Sequence, residues 1–237
     1  MRETSTNIQV WFLRHGKTPF NYESSKYDDF IQMLCNGYNT PLVKDHGIDY
    51  TSLPQRIDFV GYSPFTRTVE TAEMLRDQLD VKEMQELEFL REVRFDWDII
   101  KRQEYTSLKE NRKDILERWC DGTNKAETLE DSLARVRKVE TFLSKRQEKT
   151  VILVTHGWFL RLLEIHFVLG KPIDDITLED ILEVKPVPLG HCINATVARK
   201  SRVESQDLLD GDDILAAPLS RNQAVWPRKS PVGMRVA

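Results

Sequence analysis

Two apolar runs in this chain end in the same way. Val10-Trp11-Phe12-Leu13 leads into Arg14-His15-Gly16, and Val151-Ile152-Leu153-Val154-Thr155 leads into His156-Gly157. Uncharged runs of this length read as strands buried on both faces, the condition of central strands in a parallel sheet. Ligands of open α/β sheets sit just beyond the carboxyl ends of such strands. Two histidines placed there, about 140 residues apart in sequence, can therefore converge on one crevice. A histidine beside an arginine at that place suggests phosphoryl chemistry with a histidine nucleophile.

The rest of the pattern alternates strands and helices. Ile8 to Leu13 is the first strand, Ile57 to Tyr62 a second, and Leu87 to Leu90 a third. From Thr66, the apolar residues Val69, Ala72, Met74, Leu75 and Leu79 follow helical spacing. Tyr105, Leu108, Ile115, Leu116 and Trp119 predict one or two helices that stop by Gly122. Thr128 and Asp131 form a capping box ahead of the stripe Leu133, Val136, Val139, Phe142, Leu143. Gly157 to Leu169 is the helix after the clearest strand, with Gly170 as its stop. Asp174 to Glu183 predicts a short helix, and Ile193 to Ala198 a last strand. The expected fold is a three-layer α/β/α, doubly wound, mostly parallel sheet. One catalytic domain is expected over residues 1–200. Residues 201–237, acidic and then basic, are expected to be a C-terminal extension, with Leu208, Leu209, Ile214, Leu215 and Trp226 as the apolar residues that would let it pack on the domain.

Composition narrows the function. The 237-residue chain is 40% apolar, ample for a sizeable core. A net charge of -4 argues against a general nucleic-acid or membrane-surface binder. Cys35, Cys120 and Cys192 are isolated and odd in number, which reads as free thiols in a reducing compartment. The opening residues carry no apolar leader segment. The longest apolar stretch, around Trp158 to Leu169, is broken by Arg161, Glu164 and His166 and is no membrane span. A cytoplasmic enzyme is the expectation. His46, His166 and His191 stand without partners at ligand spacing, so neither a metal nor another cofactor is expected.

The motifs taken together carry a family resemblance. Arg14-His15-Gly16-Lys17-Thr18-Pro19-Phe20-Asn21 resembles the Arg-His-Gly-x-Thr-x-x-Asn signature of the histidine phosphatase superfamily, the phosphoglycerate-mutase-like proteins. Gly37, Pro41-Leu42 and Gly47 are similar to the loop that comes after it there. Ser63-Pro64-Phe65-Thr66-Arg67 with Thr71-Ala72 resembles its Ser-x-x-x-Arg-x-x-x-Thr-Ala block, and Leu90-Arg91-Glu92 its Leu-x-Glu acid segment. Glu127-Thr128-Leu129 with Arg135-Val136 resembles a helix start of that family, and Thr155-His156-Gly157 with Arg161 its second His-Gly segment. The blocks run in the family's order over roughly residues 8 to 200.

The resemblance implies a phosphoglycerate-mutase-like fold and a set of roles. His15 attacks phosphorus, with its other ring nitrogen held by the Gly16 carbonyl. His156 and Gly157 bind the transferring phosphoryl group, together with Arg14, Arg67, Thr18 and Asn21. Arginine suits this work because its planar fork pairs with phosphate oxygens. Arg67 lies at a helix start, where a cation is unfavourable unless an anion is bound. Glu92 is the expected general acid, with Glu86 and Glu88 as nearby alternatives. Lys17, with Arg94, Lys101 and Arg102, is a candidate contact for a second anionic group. Trp97 and Trp158 are candidate pocket walls.

Three departures bear on the substrate. Lys17 stands where the family usually has Glu or Gln, Trp158 where a small residue is common, and the stretch from Gly47 to Ser63 is short. The favoured reading is a metal-independent phosphomonoester hydrolase acting through phosphohistidine on a small phosphorylated metabolite. A mutase is the first alternative, disfavoured by Thr18, Phe20 and Val93-Arg94-Phe95-Asp96, where the mutase branch has other residues. A protein phosphatase or partner-binding role is the second.

Overall fold

The computed structural model describes residues 7–19, 40–95 and 108–199. Asn21, the segment 22–37 with Cys35, Trp97, Lys101, Arg102 and the extension 201–237 lie outside the described residues.

Five strands form the main sheet. They are β1 (Ile8–Arg14), β3 (Phe59–Tyr62), β5 (Met84–Glu86), β6 (Thr150–Thr155) and β7 (Cys192–Val197). They lie in the order β5-β3-β6-β1-β7. All pairings are parallel except β1 with the edge strand β7. Two short strands, β2 (Arg56–Ile57) and β4 (Asp80–Val81), pair separately.

Strand alternation sorts the core into two layers. Val10 and Phe12 of β1, Phe59 of β3, and Val151 and Leu153 of β6 face one side. There they pack on α2 (Leu108–Cys120), α3 (Leu129–Ser144), α4 (Gly157–Leu163) and α5 (Leu178–Glu183) through Trp119, Val136, Phe159 and Ile181. Leu13, Val60, Ile152 and Val154 face the other side and pack on Ala72 and Leu75 of α1 (Thr66–Gln78). This is the three-layer α/β/α arrangement expected from the alternating elements. Trp11 and Phe12 belong to the two core layers.

Several boundaries differ from the sequence expectation, each for a local reason. The run Ile57 to Tyr62 is two strands because β2 pairs with β4 while β3 pairs with β5 and β6; between them Asp58 donates its amide to the Thr150 carbonyl at 3.0 Å and its carboxylate accepts the amides of Lys149 and Thr150, both at 3.1 Å. Leu87 to Leu90 is no strand: β5 ends at Glu86 and Glu88–Leu90 is a 3-10 turn. The carbonyls of Leu87 and Glu88 accept the amides of Leu90 and Arg91, and the next two go to side chains instead of a neighbouring strand, Leu90 to the Thr155 hydroxyl at 2.6 Å and Phe89 to Arg135 at 3.2 Å. The helix expected over Gly157 to Leu169 is α4 followed by a π-helical turn, Glu164–Val168, which sets Phe167 against Phe12 with ring centroids 5.2 Å apart. Gly170 ends it at φ 73°, as a left-handed stop should. The segment Asp174 to Glu183 divides because Thr177 and Asp180 build a second capping box, which starts α5.

Candidate active site

β1 and β6 are neighbours in register, with Arg14 level with Thr155. Their carboxyl ends therefore deliver His15 and His156 to one place. The two rings lie 5.3 Å apart between centroids. His15 is 7% exposed and His156 fully buried.

The His15 ring is fixed by its own turn. Its Nδ1 is 2.8 Å from the Gly16 carbonyl oxygen. An Nδ1–H donated to that carbonyl leaves the lone pair on Nε2. The turn is tied down twice. The Gly16 amide donates to the Thr71 hydroxyl at 3.0 Å, and that hydroxyl donates to the Arg67 carbonyl at 2.7 Å. Thr71 thus couples the histidine turn to the first turn of α1, which carries Arg67. On the other side the Lys17 amide donates to the His46 carbonyl at 2.7 Å.

His156 lies between the end of β6 and the start of α4. Its Nε2 lies 2.8 Å from the Ser63 hydroxyl, and Phe65 packs on the ring at 4.9 Å. Its buried Nδ1 has no hydrogen-bond partner among the described residues. Arg14 donates from Nη1 to the Val187 carbonyl at 2.7 Å. Its guanidinium lies against Gly157, where a β-carbon would sit 3.1 Å from Cζ. Gly157→Ala is therefore expected to displace the Arg14 guanidinium by tenths of an ångström and weaken inorganic phosphate inhibition by about tenfold, with little change in melting temperature. A phosphate inhibition constant unchanged from wild type would show that Arg14 does not depend on this contact.

Glu92 lies across the opening of α4. Its Oε1 accepts the amides of Trp158 and Phe159 at 3.1 Å each and of Val93 at 3.0 Å. Oε2 has a longer bond from Trp158 at 3.3 Å. The helix that begins beside His156 is thus capped by Glu92, not by the His156 side chain. Trp158 packs edge-on to Phe95 at 5.9 Å, with Arg161 over its ring at 4.5 Å. Thr18 is half-buried on the histidine turn. Lys17 is 51% exposed on its side chain, and its ammonium lies 4.0 Å from Asp45. It belongs to the rim, unlike the buried histidines. Arg94 is exposed, as are Glu86 and Glu88, whose side chains stay out of the core.

Sequence reasoning missed Gly190. Its amide donates to the carbonyls of Arg14 at 3.2 Å and His15 at 3.0 Å, and its carbonyl accepts from Asp49 at 3.0 Å. It also missed what Glu127 and Arg135 do, although both belong to the helix-start motif.

The electrostatics follow from burial among cations. Burial is the main cause that holds the His15 imidazole well below its ordinary pKa, followed by Arg67; the Gly16 contact opposes and Arg14 adds. His156 is lowered in the same way, by burial and then Arg67. Both rings are neutral at neutral pH. In the unfolded chain they titrate near 6.5. Below that value the unfolded state takes up protons that the folded state refuses, so stability must fall as pH falls. The expected loss by one pH unit below 6.5 is on the order of 1 kcal/mol per histidine. Asp180, held at about 2 by its bonds from Lys171 and Thr177, titrates far below this window. Denaturant melts at pH 7.0 and 5.5 should show the loss, and it should shrink when His156 is replaced by glutamine. An unchanged midpoint between the two pH values would contradict burial as the cause.

Among the described residues, no group of three or more His, Cys, Asp or Glu is placed to hold a metal ion, and no helix is long and apolar enough to cross a membrane.

The model of the histidine phosphatase superfamily (branch 1) matches residues 50–182, more than half of the chain. That span includes Arg67, Glu92 and His156. No curated protein matches by sequence. The fold resembles that of the α-ribazole phosphatase of Shigella flexneri, at 24% identity over 81% of this chain and 95% of that one, with a TM-score of 0.53. It also resembles the mycobacterial glucosyl-3-phosphoglycerate phosphatase, at 18% identity over 79% and 89% of the two chains, TM-score 0.54. Bacillus stearothermophilus YhfR aligns at 20% identity over 79% and 90%, TM-score 0.54. With the paired histidines on adjoining strand ends and the family model spanning the acid and second-histidine segments, the chain belongs to the histidine phosphatase superfamily, branch 1, as an enzyme of the phosphatase class.

Proposed function

We propose that the enzyme hydrolyses small phosphate monoesters, without metal or other cofactor, through a phosphohistidine on His15. The observation that carries this reading is the pair of buried, neutral imidazoles 5.3 Å apart, with Arg14 and Arg67 charges acting on both.

In the first step Nε2 of His15 attacks phosphorus, and the ester P–O bond breaks in line. Arg14, Arg67 and His156 hold the non-bridging oxygens. If the Ser63 hydroxyl donates to Nε2 of His156, the ring proton sits on the buried Nδ1, where a phosphoryl oxygen is its natural acceptor. Thr18 and Gly157 complete the phosphate contacts, a role that the family resemblance gives to Asn21 as well. Glu92 gives its proton to the departing oxygen. In the second step the same carboxylate takes a proton from water as the water oxygen attacks phosphorus; the new P–O bond forms, the P–N bond breaks, and inorganic phosphate leaves with His15 restored. Lys17, half-exposed beside the histidine turn, would meet a second anionic group on the substrate.

The catalytic domain in this reading covers residues 1–200, with 201–237 as an extension. Cys120 and Cys192 are free thiols, which fits a reducing, cytoplasmic setting.

A panel of small phosphate esters and phosphopeptides, assayed with chelator present, tests the proposal. Phosphate release from the small esters is expected, with phosphopeptides far slower. Transfer of the phosphoryl group to a second substrate oxygen would reassign the enzyme as a mutase. Preference for phosphopeptides would reassign it as a protein phosphatase.

A further inference from the structure

Behind the acid segment lies a buried ion pair that the chemistry above does not use. Glu127, 3% exposed, immediately precedes Thr128, the cap residue of α3, and Arg135, 5% exposed, lies two turns into that helix. Oε1 of Glu127 accepts from the Ser132 hydroxyl at 2.7 Å, from Arg135 Nε at 2.9 Å and from Arg135 Nη2. Oε2 accepts from Arg91 Nη1 at 2.7 Å and from the Arg94 amide at 3.0 Å. Arg135 Nη1 donates to the carbonyls of Arg91 at 2.6 Å and Phe89 at 3.2 Å. Asn124 donates to the Arg94 carbonyl at 2.9 Å, and Thr155 to that of Leu90 at 2.6 Å.

Backbone groups on both sides of Glu92 are therefore held by side chains from α3, from the turn before it, and from β6. Taking two charges out of water carries a large desolvation cost, and a hydrophobic pair of equal volume is often as stable. Stability alone does not explain a buried Glu–Arg pair here. The geometry it imposes does: past the 3-10 turn, Glu92 to Arg94 lies outside every strand and helix, and these bonds fix it where the Glu92 carboxylate reaches α4.

We propose that Glu127 and Arg135 are positioning residues for Glu92, clamping Phe89 to Arg94 so that Oε1 stays on the α4 amides and Oε2 delivers the leaving-group proton. This rests on the reading of Glu92 as the general acid, and the test separates the two.

The full chain is assayed for kcat/KM on phosphate monoesters whose leaving groups range from nitrophenol to simple alkyl alcohols. Four proteins are compared with wild type: Glu92→Gln, Glu127→Gln, Ser132→Ala, and the double variant Glu92→Gln/Glu127→Gln. Loss of the acid should cost roughly 100-fold or more on alkyl esters and little on the nitrophenyl ester, whose leaving group needs no proton. Glu127→Gln should show the same selectivity at about tenfold or more, and add nothing in the Glu92→Gln background. Ser132→Ala keeps the ion pair and removes one bond to Glu127; a selective loss of about threefold is expected, and it decides the matter if Glu127→Gln does not fold.

Selective loss in Glu92→Gln together with an unselective loss in Glu127→Gln, or with losses that multiply in the double variant, overturns the positioning role and leaves the acid intact. An unselective Glu92→Gln overturns the acid assignment itself, and the positioning role with it. If only Ser132→Ala can be measured, equal rates on all esters or an equal loss on all of them overturns the clamp.

Discussion

Replacing His15 with alanine is expected to abolish turnover and the covalent intermediate together. The predicted fall in kcat is about four orders of magnitude or more, as for other enzymes stripped of a nucleophile. The argument is geometric. The Gly16 carbonyl, 2.8 Å from Nδ1, commits that nitrogen to its proton and exposes Nε2 as the attacking atom. Burial and the Arg67 charge keep the ring neutral, so the lone pair is present at working pH. Nothing else in the described site offers a nucleophilic lone pair in the same position: His156 has Nε2 on the Ser63 hydroxyl, and the tautomer that holds phosphate carries its proton on Nδ1. Rapid quench in alkali after mixing with labelled ester should trap an acid-labile phosphoenzyme in wild type and none in His15→Ala. Folding is expected to survive, because removing a buried imidazole also removes its desolvation cost. Wild-type turnover by a folded His15→Ala protein would sink the mechanism. Labelling of His156 instead would exchange the two roles.

Much of this site was legible in the sequence, and the reason lies in β1 and β6. Both are central strands, buried on both sides, so their composition announces them without help from partners. The residues just past each strand are fixed by the chain itself, which is why Arg14, His15, His156 and Gly157 could be placed by number. Arg67 and Thr71 were visible because one helical turn separates them. The acid segment was harder. Leu87 to Leu90 has the composition of a strand, yet Arg135 and Thr155, distant in sequence, take its carbonyls and turn it into a 3-10 bend. No local pattern reports such a partner. The same holds for the break at Asp58, whose carboxylate is held by amides about 90 residues away. Of Glu86, Glu88 and Glu92, it is Glu92 whose carboxylate meets the α4 amides, a contact that no local pattern reports.

Gly190→Ala is expected to be among the most damaging single-methyl additions in the chain, although Gly190 carries no chemistry. Its φ is 76°, a conformation that costs an alanine about 1 kcal/mol or more. A β-carbon there would overlap the Gly47 carbonyl oxygen and lie 2.8 Å from its carbon and 2.9 Å from Ile48 Cα. These are backbone atoms, so no rotamer change relieves the clash. The adjoining bonds prevent retreat in either direction, since the Gly190 amide holds the carbonyls of Arg14 and His15 and its carbonyl holds the Asp49 amide. Strain and overpacking together should cost about 3 kcal/mol or more. Any residual folded protein should lose activity about 100-fold, because the shift is carried straight into the nucleophile turn. Gly170 and Gly122 provide the control. Their φ values, 73° and 79°, are close to that of Gly190, but a β-carbon at either meets nothing within 4 Å. Alanine at those positions should cost only the conformational term, about 1 kcal/mol, and leave kcat/KM unchanged. Chemical denaturation and steady-state kinetics on the three variants separate the two contributions. If Gly190→Ala matched Gly170→Ala in both measurements, the contact between the β7 approach and the Gly47 turn would not be what holds His15 in place.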